Sequence, residues 1–374
     1  MMSDVEDELD LGPLFWSRDI DEHPFGTVSL AMLQANPVME DHCQFEIGRD
    51  SIFVGVYDGH GDSDEASRFL ADNLCNNLTR LAQKGTMSED VLKRAVVATE
   101  DEFLQTVYDE AGSCCLATVI WKGSLYVANV GNSRVVIGIL LRKSDIFAEQ
   151  VTKDHIADVE DIRKRIKALH RDDPDIVFEK DGVWCSKGIP QVSRAIGSAF
   201  LKIPNRYVHS SFFQRYKLYL PFNPPLLKGE PELCRRLLYP DDKFLILASG
   251  GLWENLTKKK VVEIVNENKQ TGIARRVIIR ALKEVAKKKQ MRFDDLLSVK
   301  KEERRSFHDD ISVLVIFLNH DFLEKGGVAA HERSIRGFSS SDGPSSFRIC
   351  EEIVDFNTSS NSGLKSEASS SCHT

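Results

Sequence analysis

Hydrophobic residues along the chain follow two repeating patterns that are separated by polar turns. Apolar runs such as FVGVY at 53–57 and ISVLVIF at 311–317 are typical of buried strands. We predict strands at 27–33, 42–47, 52–58, 115–121, 124–130, 134–140, 147–151, 244–248 and 311–318. Apolar residues three or four positions apart predict helices at 63–82, 88–108, 158–170, 258–267 and 271–289. The pattern therefore predicts a large domain built from both strands and helices.

Local signals refine three of these regions. The stretch TVIWKGSLYVANV at 118–130 predicts a hairpin whose tight turn falls at Lys122-Gly123. Asp62 with Glu65 forms a capping-box pattern, so the first long helix is expected to begin near residue 63. Residues 203–232 are rich in proline and aromatic residues without a clear period, which predicts an irregular insertion packed on the body.

The two ends of the chain differ in composition from its middle. The first ten residues contain five acids and no base, and we expect residues 1–25 to be a flexible acidic segment. After residue 320 the chain becomes rich in serine and poor in apolar residues, which predicts a disordered tail at 321–374. The folded domain is therefore predicted to span residues 26–320.

Composition and charge exclude some classes of function. The chain has 49 basic and 57 acidic residues, a net charge of −8, which argues against nucleic acid as a partner. Eight cysteines without an apolar leader favour free thiols in a reducing compartment. No apolar run approaches the roughly 20 residues of a membrane helix. We expect a monomer in the cytoplasm or the nucleus that reaches the plasma membrane only through a partner.

Acidic residues stand at the edges of three apolar strands. Glu40-Asp41 precede CQFEI, Asp58-Gly59 follow FVGVY, and Asp309-Asp310 precede ISVLVIF. Each pair alone has an ordinary interpretation as a turn or a helix cap. Together they favour an oxygen-rich site, which suits Mg²⁺ or Mn²⁺ better than zinc.

Seven motifs, in order and spacing, resemble those of the protein phosphatase 2C family of metal-dependent Ser/Thr phosphatases. They are MEDHCQFE, FVGVYDGHGD, GSCCLATVIWKGSLYVANVGNSR, VTKDH, QVSRAIG, FLILASGGLWENL and HDDISVLVIFL, and the resemblance covers residues 26–320. VWCSKGIPQVSRAIG and SIRG look most like the plant branch of the family that acts on the plasma-membrane proton pump. The resemblance implies an α+β fold with four layers, α-β-β-α, in which two antiparallel sheets are flanked by helices.

The resemblance also implies a site for two metal ions and a mechanism. In it, Asp58 bridges both ions, the backbone carbonyl of Gly59 binds one of them and Asp309 binds the other. Glu40 and Asp41 match acids that hold metal-bound waters. The expected reaction is hydrolysis of a phosphoprotein by metal-activated water without a covalent intermediate, with His60 as the general acid.

Several positions depart from the family pattern. Gly250, Asn132 and Ser198 stand where the family has acids, which removes about three negative charges and weakens the expected second ion. Asn36 stands where many members have a phosphate-holding arginine. Two hypotheses follow: a phosphatase that works with imperfectly held ions, and a degraded relative that binds phosphoproteins or regulatory partners.

Basic residues are dense between Lys258 and Arg305. Such a run can dock an acidic partner or an anionic membrane surface. The interpretation we favour is the solvated face of amphipathic helices, because the apolar residues between the charges follow a helical period.

Overall fold

A computed structural model describes most of the chain and defines its strands and helices. The described residues are 9, 11–20, 24–61, 63–82, 85–106, 110–142, 145–180, 183–186, 192–203, 225–325, 329, 331–339 and 342–349. The strands are β1 Phe15–Ile20, β2 Val28–Leu33, β3 His42–Ile47, β4 Ser51–Tyr57, β5 Gly59–His60, β6 Gly112–Ser113, β7 Cys115–Trp121, β8 Ser124–Val130, β9 Arg134–Arg142, β10 Asp145–Gln150, β11 Val177–Lys180, β12 Val183–Ser186, β13 Ile196–Gly197, β14 Glu232–Leu237, β15 Asp242–Ala248, β16 Ile311–Phe317 and β17 Arg333–Arg336. The helices are α1 Glu65–Leu81, α2 Glu89–Phe103, α3 Glu160–Leu169, α4 Gly250–Trp253, α5 Lys258–Glu267, α6 Ile273–Lys288, α7 Phe293–Leu297 and α8 His320–Glu324, with 3₁₀ turns at Ala199–Leu201 and Lys301–Ser306.

Two large antiparallel sheets form the centre of the molecule. The first has the order β1-β2-β16-β15-β9-β10, and the second has the order β14-β8-β7-β4-β3-β17. Apolar side chains from both sheets meet in one core, among them Leu30, Leu245 and Leu314 from the first and Phe45, Val54 and Val127 from the second. Helices α5 and α6 pack on the outer face of the first sheet, and α1 and α2 pack on that of the second. The predicted four-layer α+β sandwich is confirmed.

The strand β2 shows why several central strands are mostly apolar. Side chains of a strand alternate between its two faces. Leu30 and Met32 point into the core between the sheets, whereas Ala31 and Leu33 pack against the layer of helices. Because both faces are covered, every residue of β2 is buried and none needs to be polar for solvation.

The local predictions agree with the structure where they can be compared. The hairpin turn lies at Lys122-Gly123, where φ is 47° and 67°, the left-handed values that such a tight turn requires. Helix α1 begins at Glu65 after Asp64, while the predicted cap at Asp62 lies outside the described residues. Most of the predicted insertion, 204–224, also lies outside them.

Both predicted ends of the folded domain are wrong. The strand β1 lies inside the segment that was expected to be flexible, and it pairs with β2 along its whole length. Beyond residue 320, β17 pairs with β3, and the side chains of Phe347 and Ile349 are fully buried. Strand pairing uses backbone groups and needs little apolar composition, so a serine-rich sequence can still extend a sheet. Residues 350–374 lie outside the described part of the chain.

We expect Phe347→Ala to lower the free energy of unfolding by about 3 kcal/mol, because a fully buried aromatic side chain leaves a cavity when it is truncated. Phe347 packs against Phe53 of β4 with 5.7 Å between ring centroids. The matched control is Phe338→Ala in the same segment, where the side chain is 40% exposed and the expected loss is under about 1 kcal/mol. Urea denaturation of both variants measures the difference in the free energy of unfolding. A loss for Phe347→Ala as small as that of the control would show that Phe347 does not contribute to the core.

Candidate metal centre

The carboxyl group of Asp58 lies where β4 ends, at one edge of the sandwich. Its Oδ2 accepts a hydrogen bond from the backbone N–H of Gly250, the first residue of α4, at 2.8 Å. Burial raises the pKa of Asp58 to about 8, and the charge of Asp309 adds to this effect. Without a cation, two neighbouring carboxylates in a partly buried site repel each other. The site therefore favours a positive charge beside Asp58.

The carboxyl group of Asp309 comes to the same place from the residue pair before β16. Its Oδ2 forms an ion pair with Arg305 at 2.8 Å, and its Oδ1 accepts a hydrogen bond from Asn36 Nδ2 at 3.1 Å. Burial raises the pKa of Asp309, while Arg305 lowers it. Asp309 is thus close enough to Asp58 for its charge to act on it, and it is already engaged by two protein groups.

The neighbouring Asp310 has a structural task that the sequence did not reveal. It is 2% exposed, and its two oxygens accept hydrogen bonds from the backbone N–H groups of Ala35 at 2.6 Å, Asn36 at 2.9 Å and Glu40 at 2.8 Å. Charge-assisted bonds of this kind are the strong ones. Asp310 fastens the loop between β2 and β3 and so positions Glu40.

The acids Glu40 and Asp41 lie at different depths. Glu40 Oε2 accepts a hydrogen bond from Asn36 Nδ2 at 3.3 Å, so it faces the same cluster as Asp309. Asp41 is 2% exposed and accepts a hydrogen bond from Ser312 Oγ at 2.8 Å. Burial, and then the charge of Asp58, raise the pKa of Asp41 well above its usual value. Glu40 lines the acid cluster, and Asp41 lies buried behind it.

The imidazole of His60 lies beside Ser198, one of the positions where the family has an acid. His60 Nε2 and Ser198 Oγ are 3.2 Å apart. Burial lowers the pKa of His60 to about 4, and the positive charge of Lys202 contributes. Gly112 makes the contact possible, because a side chain there would approach both of these atoms to about 2.2 Å. Sequence patterns gave no sign of this role for Gly112.

Gly250 and Asn132, the other two neutral replacements, are also part of the cluster. A Cβ atom at Gly250 would lie 2.6 Å from Asn132 Nδ2 and 3.0 Å from Asp58 Oδ2. A carboxylate at either position would therefore stand beside Asp58. The side chain of Asn132 is held by Cys114, whose Sγ is 3.3 Å from Asn132 Oδ1. Where the family has two acids, this chain has the amide of Asn132 at one position and no side chain at position 250.

The donor set fits a hydrated hard cation better than a fully coordinated one. Among the described residues, no group of three or more His, Cys, Asp or Glu side chains is arranged to hold a metal ion. Mg²⁺ keeps several waters and commonly binds through only one or two carboxylates. Asp58 and Asp309 supply such a pair, and the repulsion between them is relieved by a cation.

Arg305 brings a positive charge to this edge. It lies on the 3₁₀ turn Lys301–Ser306 and acts electrostatically on Asp309, Glu254, Glu40 and Asp58. Arg305 is partly solvated, with 53% of its side chain exposed, but it also pairs with Asp309. The interpretation of the basic run as a solvated face holds for Lys258 and Lys259, which are exposed on α5.

A cavity of about 540 Å³ lies elsewhere in the molecule. Its lining includes Arg165, Arg194, Lys228 and Glu232 and none of the acids described above. The acid cluster is thus a site at an edge of the sheets and does not belong to this cavity.

Comparisons with known proteins show which family this chain is similar to. The family model described as protein phosphatase 2C matches residues 25–292. "Probable protein phosphatase 2C 43" of Oryza sativa subsp. japonica is 48% identical over 344 residues, which cover 89% of this chain and 88% of that protein. "Probable protein phosphatase 2C 68" of Arabidopsis thaliana is 47% identical over 350 residues, which cover 90% and 88%.

A solved structure supports the fold independently. The serine-threonine phosphatase 2C from Toxoplasma gondii aligns with a TM-score of 0.58 at 18% identity, covering 81% of this chain and 99% of that chain. The chain belongs to the protein phosphatase 2C family, whose members are metal-dependent Ser/Thr protein phosphatases. None of the helices in the described residues is long and apolar enough to cross a membrane.

Proposed function

We propose that the chain hydrolyses phosphoserine and phosphothreonine on proteins with Mg²⁺ or Mn²⁺. The observation that carries this proposal is the pair Asp58 and Asp309, which the end of β4 and the start of β16 bring to one edge of the sandwich. His60 follows Asp58 by two positions in the sequence. Family membership supports metal-dependent phosphatase activity as the class of reaction.

The residues present suggest how a metal would be held. Asp58, the backbone carbonyl of Gly59 and Asp309 would hold two ions, and the missing acid at Gly250 would weaken the binding of the second. Glu40 and Asp41 would act through water. Bound ions of this kind supply a water of lowered pKa and neutralise phosphate oxygens.

His60 is the group we propose to move the proton. Its imidazole is fixed by the contact between Nε2 and Ser198 Oγ at 3.2 Å, and it lies next to the residue pair Asp58-Gly59. A histidine in this position can protonate the departing serine or threonine oxygen. Burial lowers the pKa of His60 to about 4, so only a small fraction of the imidazole carries a proton at neutral pH. The uncharged Ser198 orients the ring without stabilising the imidazolium, which favours a slower reaction than a carboxylate would support.

One observation favours a second function, phosphoprotein binding without turnover. The positions of Gly250 and Asn132 are both beside Asp58, so the missing charges are concentrated at one point of the cluster. A weakly held second ion reduces the neutralisation of phosphate in the transition state. A protein with this defect can still bind phosphoproteins through its recognition surface and lose its rate of hydrolysis.

The deciding experiment is hydrolysis of a phosphothreonine peptide and a small aryl phosphate by the full chain, titrated with Mn²⁺ and separately with Mg²⁺. Metal-dependent release of phosphate that disappears on chelation supports the proposed activity. Peptide binding without release at any metal concentration contradicts it and supports the second function.

A further inference from the structure

Arg305 reaches into the acid cluster from the 3₁₀ turn before β16. Its Nη1 lies 2.8 Å from Asp309 Oδ2. Burial tends to lower the pKa of Arg305, but the carboxylates of Asp309, Glu254, Glu40 and Asp58 outweigh it and raise that pKa. A single guanidinium therefore compensates charge from acids on several parts of the chain.

Part of this guanidinium remains open to a ligand. The Arg305 side chain is 53% exposed, and among the residues that the structure describes, Asp309 is the carboxylate with which it forms an ion pair. A guanidinium has five N–H donors in a planar fork. The contact through Nη1 leaves further donors on the solvent side of the cluster.

Asn36 occupies the position where a phosphate-holding arginine was expected, and it is committed elsewhere. Its Nδ2 donates to Asp309 Oδ1 at 3.1 Å and to Glu40 Oε2 at 3.3 Å, and the residue is 4% exposed. The side chain carries no charge and links two acids. It cannot hold a phosphate dianion in this arrangement.

We propose that Arg305 binds the phosphoryl group of the substrate in place of an arginine at position 36. This inference rests on the proposed function, because the substrate is the phosphomonoester named there. Guanidinium and phosphate match in a planar, bidentate geometry that lysine cannot reproduce. Since Arg305 contacts Asp309, a phosphate that it holds lies next to the proposed metal ligands.

The test is calorimetric titration of inorganic phosphate into the full chain with saturating Mn²⁺. Arg305→Ala is expected to weaken the phosphate Kd by about tenfold, which is the loss of one to two charge-assisted hydrogen bonds. Arg305→Lys is expected to recover part of that loss. The matched control Lys301→Ala removes the same charge from an exposed position on the same 3₁₀ turn and is expected to leave the Kd unchanged.

Titration with Mn²⁺ alone separates this role from neutralisation of the acids. We expect Arg305→Ala to bind Mn²⁺ as tightly as the parent or more tightly, because Asp309 loses its ion pair. An unchanged phosphate Kd overturns the inference, as does a weaker Mn²⁺ Kd that accounts for the whole loss, or a parent that does not bind phosphate.

The outcome does not depend on turnover. If the parent binds phosphate through Arg305 but releases none from a phosphopeptide, the inference about Arg305 stands and the proposed activity is contradicted. If the parent hydrolyses the peptide and Arg305→Ala binds phosphate with an unchanged Kd, the proposed activity stands and the inference about Arg305 is overturned.

Discussion

Asp58→Asn is expected to lower kcat/KM for a small aryl phosphate by about a thousandfold, which corresponds to about 4 kcal/mol of transition-state stabilisation. Asparagine has nearly the same shape, and its amide oxygen can still accept the hydrogen bond from the Gly250 N–H that Asp58 Oδ2 accepts at 2.8 Å. The substitution therefore removes the carboxylate charge that is proposed to hold the metal and preserves the local packing. The measurement is initial rates over a series of Mn²⁺ concentrations.

Stability serves as the control for this variant. Because the pKa of Asp58 is raised to about 8, the parent folds with a carboxyl group that is costly to ionise, so Asp58→Asn should unfold at the same urea concentration or a higher one without metal. An exposed acid on the 3₁₀ turn, changed as Glu303→Gln, should leave the rate unaltered. Retention of more than about a tenth of the parent activity in Asp58→Asn would rule out a bridging role.

The second large effect is expected for Gly250→Asp, and its sign should depend on metal. Without metal, the new carboxylate stands beside Asp58, because the Cβ position lies 3.0 Å from Asp58 Oδ2. We expect the free energy of unfolding to fall by about 2 kcal/mol from desolvation and repulsion. With Mn²⁺ the same carboxylate becomes a ligand, so the apparent metal affinity should tighten at least about tenfold and stability should recover by mass action.

Gly250→Asn separates charge from space in this experiment. Both side chains must displace the Asn132 amide, whose Nδ2 lies 2.6 Å from the Cβ position, so both carry the same steric cost. Only the aspartate should gain stability from Mn²⁺ beyond the parent. Thermal unfolding with and without Mn²⁺, followed by phosphatase assays, measures both effects. Equal responses of the two variants to Mn²⁺ would show that position 250 does not face a metal.

The sequence located the strand ends of the site well and the tasks of single residues less well. Asp58 follows an apolar run of strand length, so its place at a sheet edge could be predicted from that run alone. Asp309 and Asp310 look equivalent in the sequence. The structure separates them, because Asp310 turns toward backbone N–H groups that lie more than 250 positions earlier in the chain, at Ala35 to Glu40.

Arg305 and the edge strands show the same limit. A charge within a basic run gives no indication of which way it faces, and the acids around Arg305 come from distant segments. The strands β1 and β17 lie at sheet edges, with burial on one side only, so their composition resembles that of a polar terminus. Pattern methods recognise strands covered on both faces, and these two are not.

The strand β17 has a consequence for how the chain behaves outside its native contacts. It covers the free edge of β3, whose residues 43–47 are all buried, and its own outer edge is closed in part by hydrogen bonds between Ser334 and Gly343. An uncovered apolar edge strand is a template for pairing with another molecule. A chain ended at residue 320, where the composition changes, would present the backbone of β3 to its neighbours. The C-terminal segment that contains β17 thus protects the edge of β3 from pairing with another molecule.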